Sequence, residues 1–229
     1  MQIAGLQKLT LLDFPGQVAC TVFLPGCQFK CPFCHNAALV TEHAPAQIST
    51  EECLGFLKGR QGILDGVCIT GGEPTLQPNL ADFIRQIKAL GFSVKLDTNG
   101  YRPDVLKALA SEKLVDYVAM DIKNAKARYA ETCGLLDLDI EKIEESVAFL
   151  KTGAVPFEFR TTVVKEFHGA EDILSLAEWI QGDIPYFLQG FVDSGALIGQ
   201  NLHALSQEEM QVLKELAKPY LPQVELRGV

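Results

Sequence analysis

Short runs of apolar residues recur along this chain, separated by longer segments with a different spacing of apolar residues. Each run is rich in β-branched, aromatic or aliphatic side chains, which favours β-strands. We predict six strands, at 18–24, 66–70, 92–97, 115–121, 157–164 and 186–192. The intervals between them are long enough to hold helices.

Apolar residues three and four apart predict amphipathic helices in these intervals. The clearest apolar faces are Leu80, Phe83, Ile84, Ile87 and Leu90, and Ile140, Ile143, Val147 and Leu150. Ser49 and Glu52 have the spacing of a capping box, and Pro103 suits the first position of a helix. A last helix is predicted over about 206–218, before Pro219.

Strands that alternate with helices predict a parallel sheet, because each helix returns the chain to the same end of the sheet. Polar and glycine-rich segments follow four successive strands: the cysteine run 27–34, Gly71-Gly72-Glu73-Pro74, Asp97-Thr98-Asn99-Gly100 and Asp121-Ile122-Lys123. Four contributing strand ends favour a curved barrel over a flat sheet. We predict an α/β fold in one domain, residues 1–229: a partial (βα)6 barrel with outer helices and the cysteine loop after its first strand.

Charge and composition limit the classes of molecule that this chain is expected to bind. The chain has 20 Lys and Arg against 29 Asp and Glu, and its net charge of −9 disfavours nucleic acid and anionic membranes. It lacks a signal-like start and any apolar run near the roughly 18 residues of a membrane span. Seven cysteines without such a signal indicate reduced thiols. We expect a cytoplasmic protein with no nucleic-acid and no membrane partner.

Three cysteines, Cys27, Cys31 and Cys34, share one short loop. Because a structural zinc ion needs four protein ligands, three thiolates favour an iron-sulfur cluster with one open iron. A zinc site with His35 as fourth ligand is an alternative, although adjacent Cys34 and His35 reach one ion with difficulty. A dithiol pair of Cys31 and Cys34 is another, but it leaves Cys27 unused. The remaining cysteines are predicted to be small buried hydrophobic residues: Cys20, Cys53, Cys68 and Cys133.

Two carboxylates, Asp97 and Asp121, end neighbouring predicted strands and are expected to converge. Their like charges need a nearby cation. Lys123 lies two residues beyond Asp121, on the same face if the strand continues. A monovalent metal ion bound by oxygens of Asp97, Thr98 and Asp121 is a second source of positive charge. A plain salt bridge between the strand ends is the alternative to a ligand site.

The motif Cys27-x-x-x-Cys31-x-x-Cys34, with Phe33 before its last cysteine, and Gly71-Gly72-Glu73-Pro74 together resemble the radical S-adenosylmethionine (SAM) superfamily. The resemblance implies one [4Fe-4S] cluster on the three cysteines, whose open iron binds the amino and carboxylate groups of SAM. An electron from the cluster then cleaves SAM to methionine and a 5'-deoxyadenosyl radical. The implied cofactor-binding residues are Phe33, Cys34, His35, Gly71, Gly72, Glu73, Asp97, Asp121, Lys123 and Arg160.

Arg160 belongs to a predicted strand whose alternation places Glu158, Arg160 and Thr162 on one face. A charged face suits a polar ligand cavity, so we expect Arg160 to pair with the carboxylate of SAM or with Glu158. Lys123 joins the three cysteines as an expected catalytic residue.

The resemblance extends over most of the chain. The matching segments are Leu12-Asp13-Phe14-Pro15-Gly16, Cys34-His35-Asn36, Lys95-Leu96-Asp97-Thr98-Asn99-Gly100, Ala119-Met120-Asp121-Ile122-Lys123 and Phe159-Arg160-Thr161-Thr162-Val163-Val164. They are most similar to activating proteins of glycyl radical enzymes, above all of anaerobic ribonucleoside-triphosphate reductase. This implies hydrogen abstraction from a backbone glycine of a partner enzyme, and a cation site at Asp97, Thr98, Asp121 and the carbonyl of Ala119.

Two departures from that family matter. The stretch 36–66 contains only Cys53, which predicts a single cluster. The predicted last strand has no histidine in Leu188-Gln189-Gly190-Phe191, which weakens a role in formate-lyase activation. A radical enzyme for a small molecule, similar to the carboxy-deazaguanine synthases, and a non-catalytic electron-transfer module are the rival interpretations.

An open barrel has room for a loop of a protein substrate. We expect Asp13, Pro15 and Gly16 to contact that loop, with a plain turn as the alternative. A flavodoxin or ferredoxin type electron donor is the second expected partner. A local basic patch that includes Lys30 would receive it.

Overall fold

The computed structural model of the protein describes residues 1–41, 48–193 and 195–229. The strands are β1 (Gly5–Thr10), β2 (Ala19–Leu24), β3 (Gly66–Gly71), β4 (Ser93–Thr98), β5 (Tyr117–Asp121), β6 (Phe157–Val163), β7 (Tyr186–Gly190) and β8 (Val224–Arg227). The helices are α1 (Ala37–Thr41), α2 (Thr50–Lys58), α3 (Leu80–Ala89), α4 (Pro103–Ser111), α5 (Tyr129–Thr132), α6 (Ile140–Lys151), α7 (Ala170–Ile180) and α8 (Gln207–Ala217), with short 3-10 helices at Pro74–Leu76 and Lys126–Arg128.

The strands form one sheet whose spatial order, β1 to β8, is their order along the chain. β1 is antiparallel to β2, and every later neighbouring pair is parallel. No pairing joins β1 to β8 in the described part of the chain, so the barrel is unclosed. The predicted α/β class and partial barrel are confirmed, whereas the assignment of the whole chain to one domain stays a prediction.

The six predicted strands are β2 to β7, and their ends differ from the prediction by at most two residues. The count of six was wrong, because the sheet also contains β1 and β8. β1, Gly-Leu-Gln-Lys-Leu-Thr, is largely exposed at the edge of the sheet and therefore lacks a clear apolar alternation. β8 has four residues, too few for a distinct apolar run.

The hydrophobic core lies between the sheet and the outer helices. The residues that α3 and α6 bury largely match the predicted apolar faces: Leu80, Phe83, Ile84 and Ile87, and Ile143, Val147 and Leu150. The capping box is present before α2, where Ser49 Oγ accepts from the Glu52 amide at 3.1 Å and Glu52 accepts from the Ser49 amide at 2.8 Å. Pro103 begins α4 as predicted. No helix among the described residues has the length and apolar character to cross a bilayer.

Two glycines let the end of β3 lie directly on the cysteine loop. A Cβ at Gly72 would stand 2.1 Å from the carbonyl oxygen of Gly26, and a Cβ at Gly71 2.4 Å from that of Leu24. The φ of Gly71 is +117°, a conformation that side chains disfavour. The Glu73 amide donates to the Gly26 carbonyl at 2.7 Å. These contacts fix the cysteine loop to the next strand of the barrel.

Candidate active site at the open end of the barrel

A cavity of about 230 Å³ opens at the carboxyl ends of the parallel strands. The predicted site residues that line it are Cys27, Cys31, Phe33, Cys34, His35, Gly71, Gly72, Asp97, Thr98, Asp121, Lys123 and Arg160. Asn36, Asn99, Thr162 and Gln189 also line it and were not predicted as site residues. The parallel register therefore brings together segments that lie far apart in the sequence.

All three cysteines of the loop are free thiols on this cavity. The sulfur of Cys27 lies 3.4 Å from the amide nitrogen of Phe29 and 3.7 Å from Nδ2 of Asn99, both hydrogen-bond donors. Such donors stabilise a thiolate and tune a cluster bound to it. Burial raises the pKa of Cys27 to about 12, so a cluster that takes this thiolate displaces its proton.

Cys133 is a contact of the cluster loop that the sequence did not indicate. It was predicted to be a buried hydrophobic residue and it is buried, but its thiol also lowers the pKa of Cys31. Its carbonyl accepts from the Lys30 amide at 2.8 Å. Cys133 stands about a hundred residues from the motif, and no spacing rule connects them.

The alternatives to a cluster gain no support from the geometry. Within the described ranges, no three His, Cys, Asp or Glu side chains are arranged to hold a single metal ion. All three cysteines face the cavity, so a redox pair of two of them would leave the third unexplained.

Charged side chains of alternating sign form one wall of the cavity, with Lys95 buried behind it. The ammonium of Lys95 contacts Asp97. Arg160 Nη1 lies 3.2 Å from Asp97 Oδ2, and Arg160 Nε lies 2.9 Å from Asp121 Oδ1. Lys123 Nζ lies 3.0 Å from Asp121 Oδ2, as expected from their spacing. Three cations and two carboxylates leave one positive charge, which suits an anionic ligand group.

The pKa shifts agree with these pairs. Burial alone would raise the pKa of Asp121, but Arg160 and Lys123 hold it below its ordinary value. Arg160 and Lys95 likewise lower the pKa of Asp97 against the effect of burial. Burial would lower the pKa of Lys123, and Asp121 raises it instead. Asp97, Asp121 and Lys123 are therefore ionised at neutral pH.

The sequence model of the Radical SAM superfamily matches residues 21–180 of this chain. The chain belongs to the radical SAM superfamily. Its members use a [4Fe-4S] cluster and SAM. Three cysteines on one wall of the cavity and a positive charge on another fit these two cofactors.

Curated relatives of this radical SAM protein cover its length to different extents. It is 34% identical to a Methanocaldococcus jannaschii protein named "Putative glycyl-radical enzyme activating enzyme MJ1227", over 99% of this chain and 96% of that one. It is 31% identical to a pyruvate formate-lyase-activating enzyme of Clostridium pasteurianum, over 54% and 52%. It is 27% identical to a 7-carboxy-7-deazaguanine synthase of Thermococcus kodakarensis, over 72% and 70%.

Solved structures show the same fold. The structure of Streptococcus suis SuiB bound to S-adenosylmethionine matches with a TM-score of 0.68 at 15% identity, over 91% of this chain and 52% of that one. At this identity the likeness concerns the fold alone.

Glu73 of the radical SAM protein was predicted to bind the cofactor, and the structure gives it protein partners instead. It is fully buried, and it accepts from the Thr75 amide at 3.1 Å, the Thr98 hydroxyl at 2.8 Å and the Asn99 amide at 2.7 Å. Burial raises its pKa. It is absent from the cavity lining and instead joins the loops after β3 and β4.

Glu158 is not the partner of Arg160. Its carboxylate accepts from Arg227 at 2.9 and 3.2 Å and from the Tyr117 hydroxyl at 3.2 Å. The guanidinium of Arg227 also stacks on Phe187 at 3.7 Å from the ring centroid. Arg227 lies on β8, which was not predicted, so its contact with Glu158 could not be expected from the sequence.

The segment after β7 covers the cysteine loop. The Gly199 amide donates to the Pro32 carbonyl at 2.7 Å, and a Cβ at Gly199 would lie 2.7 Å from the Pro32 side chain. The Phe191 ring lies 5.9 Å from the ring of His35. Burial lowers the pKa of His35, which is therefore neutral at neutral pH.

The predicted partner contacts Asp13, Pro15 and Gly16 lie far from the cysteine loop. They follow β1, which runs antiparallel to β2, so this turn is at the amino ends of the parallel strands. Asp13 accepts from the Thr21 hydroxyl at 2.5 Å. Phe14, between them, packs under Gly66 at the base of the sheet. Contact with a partner stays a prediction, and it needs a partner loop that reaches along the barrel.

Lys30 was predicted to belong to a basic patch for an electron donor. Its ammonium donates to the Val40 carbonyl at 2.6 Å, and the residue is exposed beside the cysteine loop. Binding of a donor there stays a prediction.

Proposed function

We propose that this radical SAM protein abstracts a hydrogen atom from a backbone glycine of a partner glycyl radical enzyme, with anaerobic ribonucleoside-triphosphate reductase as the partner. One observation carries this proposal: the chain is 34% identical, over nearly its whole length, to a relative named as a glycyl-radical enzyme activating enzyme. The choice of the reductase rests on the sequence segments that resemble its activating proteins.

The side chains have distinct tasks in this proposal. When bound, the cluster supplies the electron that cleaves SAM. Cys27, Cys31 and Cys34 hold the cluster at the cavity wall. Gly71 and Gly72 line the cavity at the end of β3, and their lack of side chains lets this strand end lie against the cysteine loop. The positive charge of Lys123 and Arg160 attracts the carboxylate of SAM.

An unclosed sheet supports a protein substrate. β1 and β8 each have one neighbour in the sheet, so the side between them is open along the barrel. A glycine loop can approach the cavity from this side, where a closed barrel would exclude it. The two differences from the activating proteins also bear on the proposal. The chain is expected to hold a single cluster. β7 carries Gln189 rather than a histidine at the cavity, which weakens a role in formate-lyase activation.

A small-molecule substrate is the second candidate. It is favoured by the 27% identity to a 7-carboxy-7-deazaguanine synthase over 72% of this chain. The electron donor of flavodoxin or ferredoxin type, the absence of a nucleic-acid partner and the cytoplasmic location stay predictions. Seven free thiols support a reducing compartment.

One anaerobic experiment tests the proposal. The protein is reconstituted with iron and sulfide, reduced and mixed with SAM and anaerobic ribonucleoside-triphosphate reductase. We expect 5'-deoxyadenosine by chromatography and a glycyl radical signal in electron paramagnetic resonance (EPR) spectra of the reductase. Absence of 5'-deoxyadenosine contradicts the radical chemistry. Its formation without a glycyl signal contradicts this choice of partner, and a parallel assay with a deazapurine precursor then tests the second candidate.

A further inference from the structure

We propose that the ammonium group of Lys95 supplies the positive charge that the family resemblance assigns to a monovalent metal ion, so that SAM binding here requires no such ion. The inference rests on SAM as the ligand of the cavity, and it is independent of which partner enzyme is used. It replaces the predicted cation site at Asp97, Thr98 and Asp121.

Each carboxylate oxygen of the predicted cation site already faces a cation of the protein. Asp97 Oδ1 contacts Lys95, and Asp97 Oδ2 lies 3.2 Å from Arg160. Asp121 Oδ1 lies 2.9 Å from Arg160, and Asp121 Oδ2 lies 3.0 Å from Lys123. A metal ion would have to displace one of these groups to gain a carboxylate ligand.

The hydroxyl of Thr98 is engaged as well. It donates to Glu73 at 2.8 Å and accepts from the Gly100 amide at 3.1 Å. Both partners are buried, Glu73 in the loop after β3 and Gly100 in the loop after β4. These two hydrogen bonds leave the Thr98 hydroxyl one lone pair for a metal ion.

Lys95 is the least replaceable of the three cations. It precedes Asp97 by two residues on β4, which puts both side chains on one face of the strand. The residue is 1% exposed, and its other polar neighbour is the sulfur of Cys68 at 3.9 Å. Displacing it from Asp97 would leave a buried ammonium without a charged partner, which is costly.

The net charge of these five side chains also disfavours a metal ion. Lys95, Arg160 and Lys123 against Asp97 and Asp121 give a net charge of +1 at this wall. A further monovalent cation would raise it to +2 within a buried site, where like charges repel strongly. One positive charge is enough to balance the carboxylate of SAM.

The test compares cations at constant ionic strength. The reconstituted protein is titrated with SAM by calorimetry under anaerobic conditions in sodium, potassium or tetramethylammonium chloride. The dissociation constant of the unmodified protein is expected to agree within about twofold among the three salts. A saturable gain of about tenfold or more in sodium or potassium would overturn the proposal.

Lys95→Met frees one oxygen of Asp97 and is expected to create a cation requirement. In tetramethylammonium chloride its SAM affinity should fall by about tenfold, the effect of losing one charge interaction of this size. Sodium or potassium should restore much of it in a saturable way. Equal affinity in all salts would overturn the role of Lys95, and Lys95→Gln serves if the Met variant does not fold.

Two controls separate this inference from the proposed function. Lys88→Met removes a lysine that pairs with Asp116 at 2.6 Å, outside the cavity, and should create no cation requirement. The melting temperature of the apo-protein gives a readout without any cofactor: sodium should raise it for Lys95→Met and not for the unmodified protein. A lack of 5'-deoxyadenosine in every salt would count against the proposed function and leave these two measurements valid.

Discussion

Cys31 combines the functions of cluster ligand and buried side chain. It is 7% exposed and lines the cavity, and Cys133 lowers the pKa of its thiol. Cys31→Ala is expected to lose the cluster, because two thiolates do not hold a [4Fe-4S] cube. Iron analysis and the visible absorption of the reconstituted protein check this. Cys53→Ala, which removes a buried cysteine of α2, should keep the iron content of the unmodified protein.

Asp121 makes the stability of the protein depend on pH. Its pKa is depressed in the folded state, whereas an aspartate in an unfolded chain titrates near 3.9. As the pH falls below about 4, the unfolded state therefore binds protons first, and the free energy of unfolding decreases. Asp121→Asn should lower this free energy at pH 7 and weaken its dependence between about pH 5 and 3. Urea unfolding at several pH values measures both, and an unchanged slope would contradict the assignment.

For single residues, the sequence indicated most of the side chains that line the cavity but few of the contacts that these side chains make. Spacing and alternation placed Lys123 beside Asp121 and Arg160 on the cavity face, because both relations are local to one strand. Lys95 contacts Asp97 two residues away and was still overlooked, since a lysine in a central strand gave no signal of burial. The contact between Cys133 and Cys31 depends on the folding of a distant loop.

The junction of β3 with the cysteine loop depends on Gly72. Its Cβ would clash with the Gly26 carbonyl oxygen at 2.1 Å, so Gly72→Ala must move the loop that carries Cys27. We expect it to unfold more easily than the unmodified protein by about 2 kcal/mol or more, and to bind less iron after reconstitution. Thermal unfolding and iron analysis measure the two effects.

Gly55→Ala is the matched control. Gly55 lies inside α2, with open space where its Cβ would be. Alanine favours a helix over glycine by about 1 kcal/mol, so this variant should be as stable as the unmodified protein or more stable. Equal losses of stability and of iron content in Gly55→Ala and Gly72→Ala would contradict the interpretation that Gly72 is needed because β3 lies so close to the cysteine loop.

Elements were predictable where the sheet is buried on both sides. β2 to β7 have apolar runs because helices cover one face of the sheet and the barrel interior lies on the other. β1 and β8 are at the two edges, where fewer side chains are buried and the apolar signal is weak. The prediction therefore included the central parallel strands β2 to β7 and missed the two edge strands, β1 and β8.

One long-range ion pair connects the last strand to the middle of the sheet. Glu158 is 1% exposed, and Arg227 covers it from β8. Arg227→Met leaves a buried carboxylate with only the Tyr117 hydroxyl, and should lower the free energy of unfolding by about 2 kcal/mol, since Arg227 itself is partly exposed. The double variant with Glu158→Met should recover part of this loss.

Arg85→Met provides the comparison for a surface pair. Arg85 contacts Glu112 at 2.5 Å, with both side chains about half exposed. Exposed pairs contribute little, so we expect a change below about 0.5 kcal/mol. Urea unfolding of the unmodified protein, Arg227→Met, its double variant with Glu158→Met, and Arg85→Met measures these differences. A loss in Arg227→Met no larger than in Arg85→Met would show that the pair of Arg227 and Glu158 is an ordinary surface contact.

The contact of Gly199 with Pro32 has a consequence for the order of events during synthesis. The cluster ligands leave the ribosome well before the segment around Gly199 that covers their loop. Until that segment and β8 have emerged, the three thiols stay accessible to iron and to oxidants alike. Synthesis in air would therefore expose these thiols to oxidation before the cysteine loop has its cover.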